Sequence, residues 1–122
     1  MALLATANLT GPERRALDRF VELLRSRLGD DLHAVWLYGS RARGDGSPDG
    51  SDVDVLVVTR GGRGDAELVI GLLWDAYAAA EEATMRLAPY VQSPNWVTGR
   101  REIESFFMQE VDRDKIVLHQ RS

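Results

Sequence analysis

The feature that most constrains this chain is a short stretch in which a glycine–serine pair is followed by two closely spaced carboxylates. Gly39 and Ser40 end a segment rich in β-branched and aromatic residues, and Asp52 and Asp54 open a second apolar segment that continues over residues 55–58. Side chains alternate between the faces of a strand, so the two aspartates should project to the same side, roughly 6.5 to 7 Å apart. Like charges at that distance repel by roughly 2 to 3 kcal/mol at an effective dielectric constant of about 20. A divalent cation that also binds phosphates would offset this repulsion, and the pattern therefore indicates phosphoryl-transfer chemistry.

The glycine–serine pair fits the same chemistry. A glycine allows the backbone to approach a phosphate closely, and the Ser40 hydroxyl and the following amides are hydrogen-bond donors to phosphate oxygens. A short helical turn from Ser40 to Ala42 would add its positive end. Two plainer interpretations stay open at this point: an ordinary strand-to-loop turn, and an aspartate pair at the exposed mouth of a strand.

Composition excludes several classes of site. The 122 residues predict one domain over residues 1–122, and a net charge of −4 makes nucleic acid an unexpected direct target. The chain contains no cysteine, which excludes disulfides, thiolate zinc sites and cysteine nucleophiles. We find no signal peptide or membrane-spanning run in the sequence, so we expect a cytoplasmic protein that does not enter a membrane.

Residue patterning predicts an alternating order of helices and strands. Thr10 and Glu13 form a capping-box pattern for a helix that ends at Gly29, and Asp65 is placed to cap a second helix that runs to about Glu82. The remaining predicted elements are strands over 32–38, 53–58, 85–92 and 116–118, a mobile loop over 43–51, a short helical turn from Ser93, and a last helix over 100–112. This order implies an α/β (α+β) fold, with a small mixed sheet flanked by helices.

The run Gly39-Ser40-Arg41-Ala42-Arg43-Gly44, an eleven-residue gap after Ser40, and Asp52-Val53-Asp54-Val55 together resemble the signature of the polymerase-β-like nucleotidyltransferases. The resemblance is closest to the minimal nucleotidyltransferases of bacteria and archaea. It is detailed over residues 38–58 and looser elsewhere, and the gap is one residue longer than the usual minimal pattern.

The resemblance implies a site, a cofactor and a reaction. Gly39, Ser40 and Arg43 would bind a nucleoside triphosphate, with ATP the first candidate, whereas Arg41 occupies a variable place. Asp52 and Asp54 would be the catalytic residues and the ligands of two Mg²⁺ ions. One metal would lower the pKa of an acceptor hydroxyl, and the other would neutralise the pyrophosphate leaving group.

A third carboxylate is missing where the resemblance implies one. In the family it comes from a later strand beside the aspartate-bearing strand, but residues 85–92 contain no acid. Glu81 and Glu82 precede that strand and could approach the site from the end of the helix, although exposed charges on the last helical turn are the expectation. Arg86 could neutralise the aspartates without metal, and Gln92 is the other polar side chain that could reach inward.

Three functions remain open from the sequence. The first is an enzyme that transfers a nucleoside monophosphate to a hydroxyl of a protein partner, because the chain has no second domain to build an acceptor pocket. The resemblance implies a small all-helical HEPN-type partner, with this chain as the antitoxin of a toxin–antitoxin pair. The second is a degenerate module that binds nucleotide, or sequesters a partner, without turnover. The third is a purely structural domain. Apolar residues on more than one face of the second predicted helix, including Ile70, Trp74 and Tyr77, predict deep burial, a homodimer or a partner complex.

Overall fold

The computed structural model describes residues 7–45, 51–80 and 86–121, which form a four-stranded mixed sheet with helices against both faces. In chain order the elements are α1 (Gly11–Leu28), β1 (Leu32–Tyr38), α2 (Gly39–Arg43), β2 (Val53–Thr59), α3 (Ala66–Ala80), β3 (Leu87–Gln92), α4 (Pro94–Glu102), α5 (Phe106–Asp114) and β4 (Ile116–Gln120), with single 3₁₀ turns at Gly29–Asp31 and Gly62–Asp65. The fold class predicted from the sequence is confirmed.

The sheet places the aspartate-bearing strand in its interior. The strand order is β3-β2-β1-β4, and β2 pairs antiparallel with β1 and parallel with β3. Val53, Val55 and Val57 are fully buried in the core shared with α1 and α3, while Leu56 and Val58 belong to the core shared with α4 and α5. Because side chains alternate along the strand, Asp54 belongs to the α4–α5 face, near the end of the sheet where β1 stops, and Asp52 directly precedes the strand.

The start of α1 follows from its first residues. The Thr10 hydroxyl accepts a hydrogen bond from the Glu13 amide at 3.2 Å, and the Glu13 carboxylate accepts one from the Thr10 amide at 2.8 Å. This reciprocal pair is the predicted capping box, and it satisfies two donors that a helix end otherwise leaves unpaired. A short helical turn beginning at the glycine–serine pair is also confirmed, as α2.

The continuity of one predicted helix and the capping residue of another are wrong. The predicted helix over 100–112 is divided between α4 and α5, because Glu104 adopts a left-handed backbone with φ 51° and the Ser105 hydroxyl caps a new helix by accepting from the Met108 amide at 3.2 Å. Asp65 does not cap α3. Its carboxylate accepts from the Thr59 hydroxyl at 2.7 Å and from the Gly61 amide at 3.1 Å, so it closes the turn that precedes the helix.

Helix α3 buries one side and exposes the other. Val69 and Ala76 are fully buried, whereas Ile70 and Trp74 are 46% and 64% exposed. Deep burial of the whole apolar helix is therefore wrong, and a partner on its outer side stays a prediction. Within the described ranges, none of the helices combines the length and apolar character needed to cross a membrane.

Candidate active site

Gly39 and Asp54 meet where β1 turns into α2. Asp54 is opposite Tyr38 in the last register pair of the β1–β2 ladder, and Gly39 turns the chain away with φ +81°. A Cβ atom added to Gly39 would lie 2.5 Å from Asp54 Oδ2, a separation that real side chains do not show. Glycine is therefore required here twice over, by the positive φ and by the carboxylate that occupies the space a side chain would fill.

The two aspartates lack a compensating cation among the described residues. Asp54 is half-buried and Asp52 is exposed, and no ion pair in the described ranges includes either carboxylate. Burial, and to a smaller extent the charge of Asp52, raise the pKa of Asp54. A shared electropositive ligand would relieve both effects at once.

Ala88 occupies the place beside Asp54 where a third carboxylate would lie. Parallel pairing sets Asp54 opposite Ala88, and no group of three or more histidine, cysteine, aspartate or glutamate residues able to hold a metal occurs in the parts of the chain that the structure describes. Arg86 forms no ion pair with Asp52 or Asp54; instead its carbonyl accepts from the Val53 amide at 2.8 Å.

The other polar candidates do not complete the site. Gln92 is buried opposite Val58, four residues beyond Ala88 and about 13 Å further along the strand. It therefore lies too far from Asp54 to act with it. Glu81, Glu82, the predicted end of that helix and the predicted strand start at Met85 lie outside the described residues, as does most of the predicted mobile loop, residues 46–50.

The donor set still fits a magnesium–nucleotide complex. Mg²⁺ keeps several waters and is commonly bound through one or two carboxylates plus the phosphates of a substrate, rather than by a cage made entirely of protein ligands. Asp52 and Asp54 supply that number of carboxylates, one directly before β2 and one within it, and the Gly39–Ser40 turn lies against Asp54. The site can hold a metal that arrives with its nucleotide.

The two arginines that follow Ser40 point in different directions. Arg41 is fully buried, and its guanidinium contacts Glu13 and two backbone carbonyls. Arg43 is exposed and pairs with Asp45 at 3.2 Å and with Asp114 at 3.1 Å. Of the two, only Arg43 presents its guanidinium at the surface. There a phosphate group of a nucleotide could replace Asp45 or Asp114 as the partner of Arg43.

An open cleft of about 550 Å³ extends from Asp54 between the sheet and α4–α5. It is lined by Tyr38, Asp54, Ala88, Pro89, Tyr90, Trp96, Arg100, Ser105 and Phe107. The rings of Tyr90, Trp96 and Phe107 meet edge to face, with centroids 5.7 to 6.1 Å apart, and the Arg100 guanidinium lies 5.2 Å from the Trp96 ring centroid. No local sequence pattern marks these residues, because they come from three different elements.

Tyr38 joins the cleft to the aspartates. Its ring packs edge to face on Phe107 at 5.4 Å. Burial first, then the charge of Asp54 and the neighbouring Tyr90, raise the pKa of the Tyr38 phenol to about 12. The hydroxyl therefore remains protonated at neutral pH, so that Tyr38 can act at this position as a hydrogen-bond donor but not as a base.

Comparison with known proteins identifies the family to which this chain belongs. None of the curated proteins compared matches the chain. Among solved structures, a crystal structure from Sulfolobus solfataricus, of a protein provisionally named a nucleotidyltransferase, matches with 23% sequence identity and a TM-score of 0.46, covering 89% of this chain and 81% of that one. Residues 17–118 match the family model described as a nucleotidyltransferase domain, and this range includes β1, β2, β3, the first three residues of β4 and both aspartates. The chain belongs to the nucleotidyltransferase domain family.

Proposed function

We propose that this protein binds a nucleoside triphosphate, with ATP as the first candidate, together with Mg²⁺, and transfers its nucleoside monophosphate to a hydroxyl of a protein partner. The partner proposed is a small helical HEPN-type protein, with this chain acting as the antitoxin. The observation that carries the proposal is the pair of carboxylates Asp52 and Asp54, which form no ion pair with the described residues, with Asp54 lying in the space that a side chain at Gly39 would fill.

Each residue of the site has a role in this proposal. Asp52 and Asp54 hold the metal, the Gly39–Ser40 turn donates hydrogen bonds to the phosphates, and Arg43 exchanges a carboxylate partner for a phosphate oxygen. When bound, the metal supplies charge neutralisation and lowers the pKa of an acceptor hydroxyl. Nucleotidyltransferase domains generally use a divalent metal, which agrees with a donor set of two carboxylates.

The open cleft agrees with an acceptor hydroxyl that is supplied by another protein. Four of the nine lining residues are aromatic, and the described residues contribute one carboxylate, Asp54, and one guanidinium, Arg100. Attack on a phosphorus atom proceeds roughly in line with the leaving group. With pyrophosphate at the Gly39–Ser40 turn, on the β1 side of Asp54, the acceptor has to approach from the other side, and Ala88 of β3 lies on that side of Asp54.

A second function is favoured by one residue. Ala88 stands beside Asp54 where a third carboxylate would assist deprotonation of the acceptor, and alanine supplies neither a base nor a ligand. A site without this carboxylate agrees with a module that binds the metal–nucleotide complex, or sequesters its partner, without turnover.

The two functions are separated by incubating the purified protein with Mg²⁺, each nucleoside triphosphate in turn, and the product of the adjacent gene. The partner is then weighed by mass spectrometry. A nucleotide-sized mass increase that is lost in Asp52→Asn but kept in Asp18→Asn establishes the enzyme; Asp18 is an exposed aspartate of α1 and serves as the matched control. Intact partner binding with no mass increase from any triphosphate would establish the module instead.

A further inference from the structure

We infer that Arg41 is the positioning residue of this site, which fixes Asp52 relative to the Gly39–Ser40 turn from inside the protein. Arg41 follows Ser40 directly but is 0% exposed, so it cannot contact a nucleotide itself. It is the largest fully buried side chain among the described residues. This inference rests on the proposed function for the role of the site, and it names the residue that fixes the geometry of that site.

The guanidinium of Arg41 joins three separate segments. Its Nε donates to the Asn8 carbonyl at 2.6 Å, its Nη1 donates to the Ser51 carbonyl at 2.7 Å, and its Nη2 pairs with the Glu13 carboxylate. The Arg41 carbonyl in turn accepts from the Asn8 amide at 2.9 Å. Arginine suits this position because its planar fork can donate in several fixed directions at once.

Glu13 makes the arginine a rigid anchor. The same carboxylate oxygen that pairs with Arg41 also accepts the Thr10 amide in the capping box of α1. The guanidinium is therefore fixed to the first turn of an 18-residue helix that is packed into the core. An anchor of this kind is needed because α2 has only five residues, and one isolated turn of helix is not stable by itself.

Asp52 is held through its two neighbours. On one side, the Ser51 carbonyl is bound by Arg41; on the other, the Val53 amide donates to the Arg86 carbonyl at 2.8 Å. The β1–β2 ladder begins only at Asp54, so pairing with β1 does not hold Asp52. Loss of Arg41 should therefore release Asp52 while Asp54 stays in place.

The test compares Arg41→Lys with the wild-type protein in two measurements. Lysine keeps the buried charge but cannot reach all three acceptors from one nitrogen. The affinity for Mn²⁺–ATP, followed by electron paramagnetic resonance, is expected to fall about 10–100-fold, the usual effect of removing a group that orients a metal ligand. Amide hydrogen exchange in nucleotide-free protein is expected to become faster at Val53, with Val57 in the middle of β2 unchanged.

Leu24→Ala is the control for lost stability. Leu24 is fully buried in α1, about 16 Å along the helix axis from Glu13. This variant should lower the melting temperature while keeping wild-type Mn²⁺–ATP affinity at temperatures where it is folded. Its exchange should change at Val53 and Val57 alike.

The outcomes separate this inference from the proposed function. Wild-type affinity together with wild-type exchange at Val53 in Arg41→Lys would overturn the inference. If the wild-type protein binds no metal–nucleotide complex, the proposed function fails, and the exchange measurement alone then decides whether Arg41 holds Asp52. The double variant Glu13→Gln/Arg41→Met removes both buried charges, and it should show the same faster exchange at Val53 if positioning is the role of the pair.

Discussion

Replacing Gly39 by alanine should separate the cost of backbone strain from the cost of displacing Asp54. Gly39 has φ +81°, a conformation that a residue with a side chain rarely adopts. The strain should lower the free energy of unfolding by about 1–3 kcal/mol. The added methyl group would also lie 2.5 Å from Asp54 Oδ2, whereas ordinary van der Waals contact begins at 3.4 Å.

The geometry gives the size of the displacement. Moving the carboxylate from 2.5 Å to 3.4 Å requires a shift of 0.9 Å, the difference between these two distances. Groups at functional sites must be held within about 0.5 Å of the productive position, so the shift exceeds what the site tolerates. We therefore expect Gly39→Ala to lose Mn²⁺–ATP affinity as well as stability.

Gly29→Ala is the matched control, because Gly29 also has a positive φ, +54°, but no atom lies within 4 Å of its added Cβ. Urea denaturation of both variants should show comparable losses of stability, and titration with Mn²⁺–ATP should show weakened binding in Gly39→Ala alone. Wild-type affinity in folded Gly39→Ala would refute the view that Asp54 and Gly39 form one ligand site.

Three further outcomes are expected. Burial and the charge of Asp52 raise the folded-state pKa of Asp54. Protonation of Asp54 therefore contributes to the free energy of unfolding at low pH, and this contribution is lost as the pH rises through that pKa. Asp54→Asn should accordingly raise the free energy of unfolding at pH 7 in metal-free buffer, with the gain absent below the ordinary pKa of 3.8; a loss at pH 7 would contradict this. Arg41→Met should cost about 3–5 kcal/mol in urea denaturation by leaving Glu13 buried without its partner, and Glu13→Gln in the same chain should recover part of that loss. Ala88→Asp should strengthen Mn²⁺ binding by adding a third carboxylate opposite Asp54 while lowering metal-free stability, and unchanged Mn²⁺ affinity would count against a metal at Asp54.

Elements that depend on local pattern could be predicted from the sequence. The capping box fixes the start of α1, and the apolar run after Asp54 fixes an interior strand, because both depend on residues within a few positions of each other. The division of the predicted last helix could not be predicted in this way. It depends on a left-handed backbone at Glu104, and glutamate gives no local signal for that conformation.

Asp65 shows the same limit at the start of α3. An aspartate before an apolar run is typical of a helix cap, but here its carboxylate closes the turn with Thr59 and Gly61. In a helix cap and in a closed turn alike, the aspartate carboxylate accepts hydrogen bonds from free backbone or hydroxyl donors, and the two arrangements are similar in free energy. The choice between them depends on where β2 ends, which is a property of the sheet.

The sequence by itself determined the family of this protein and pointed to the residues of its candidate site. Glycine, serine and two alternating aspartates at their spacing indicate a nucleotide and a divalent cation, since few other partners offset two like charges on one strand face. Tertiary structure decided how those groups are held and what lies beside them. Strand register puts Ala88 opposite Asp54, and burial turns Arg41 from a surface cation into an internal anchor. Register and burial arise from packing between segments distant in the chain, and spacing along the sequence does not specify them.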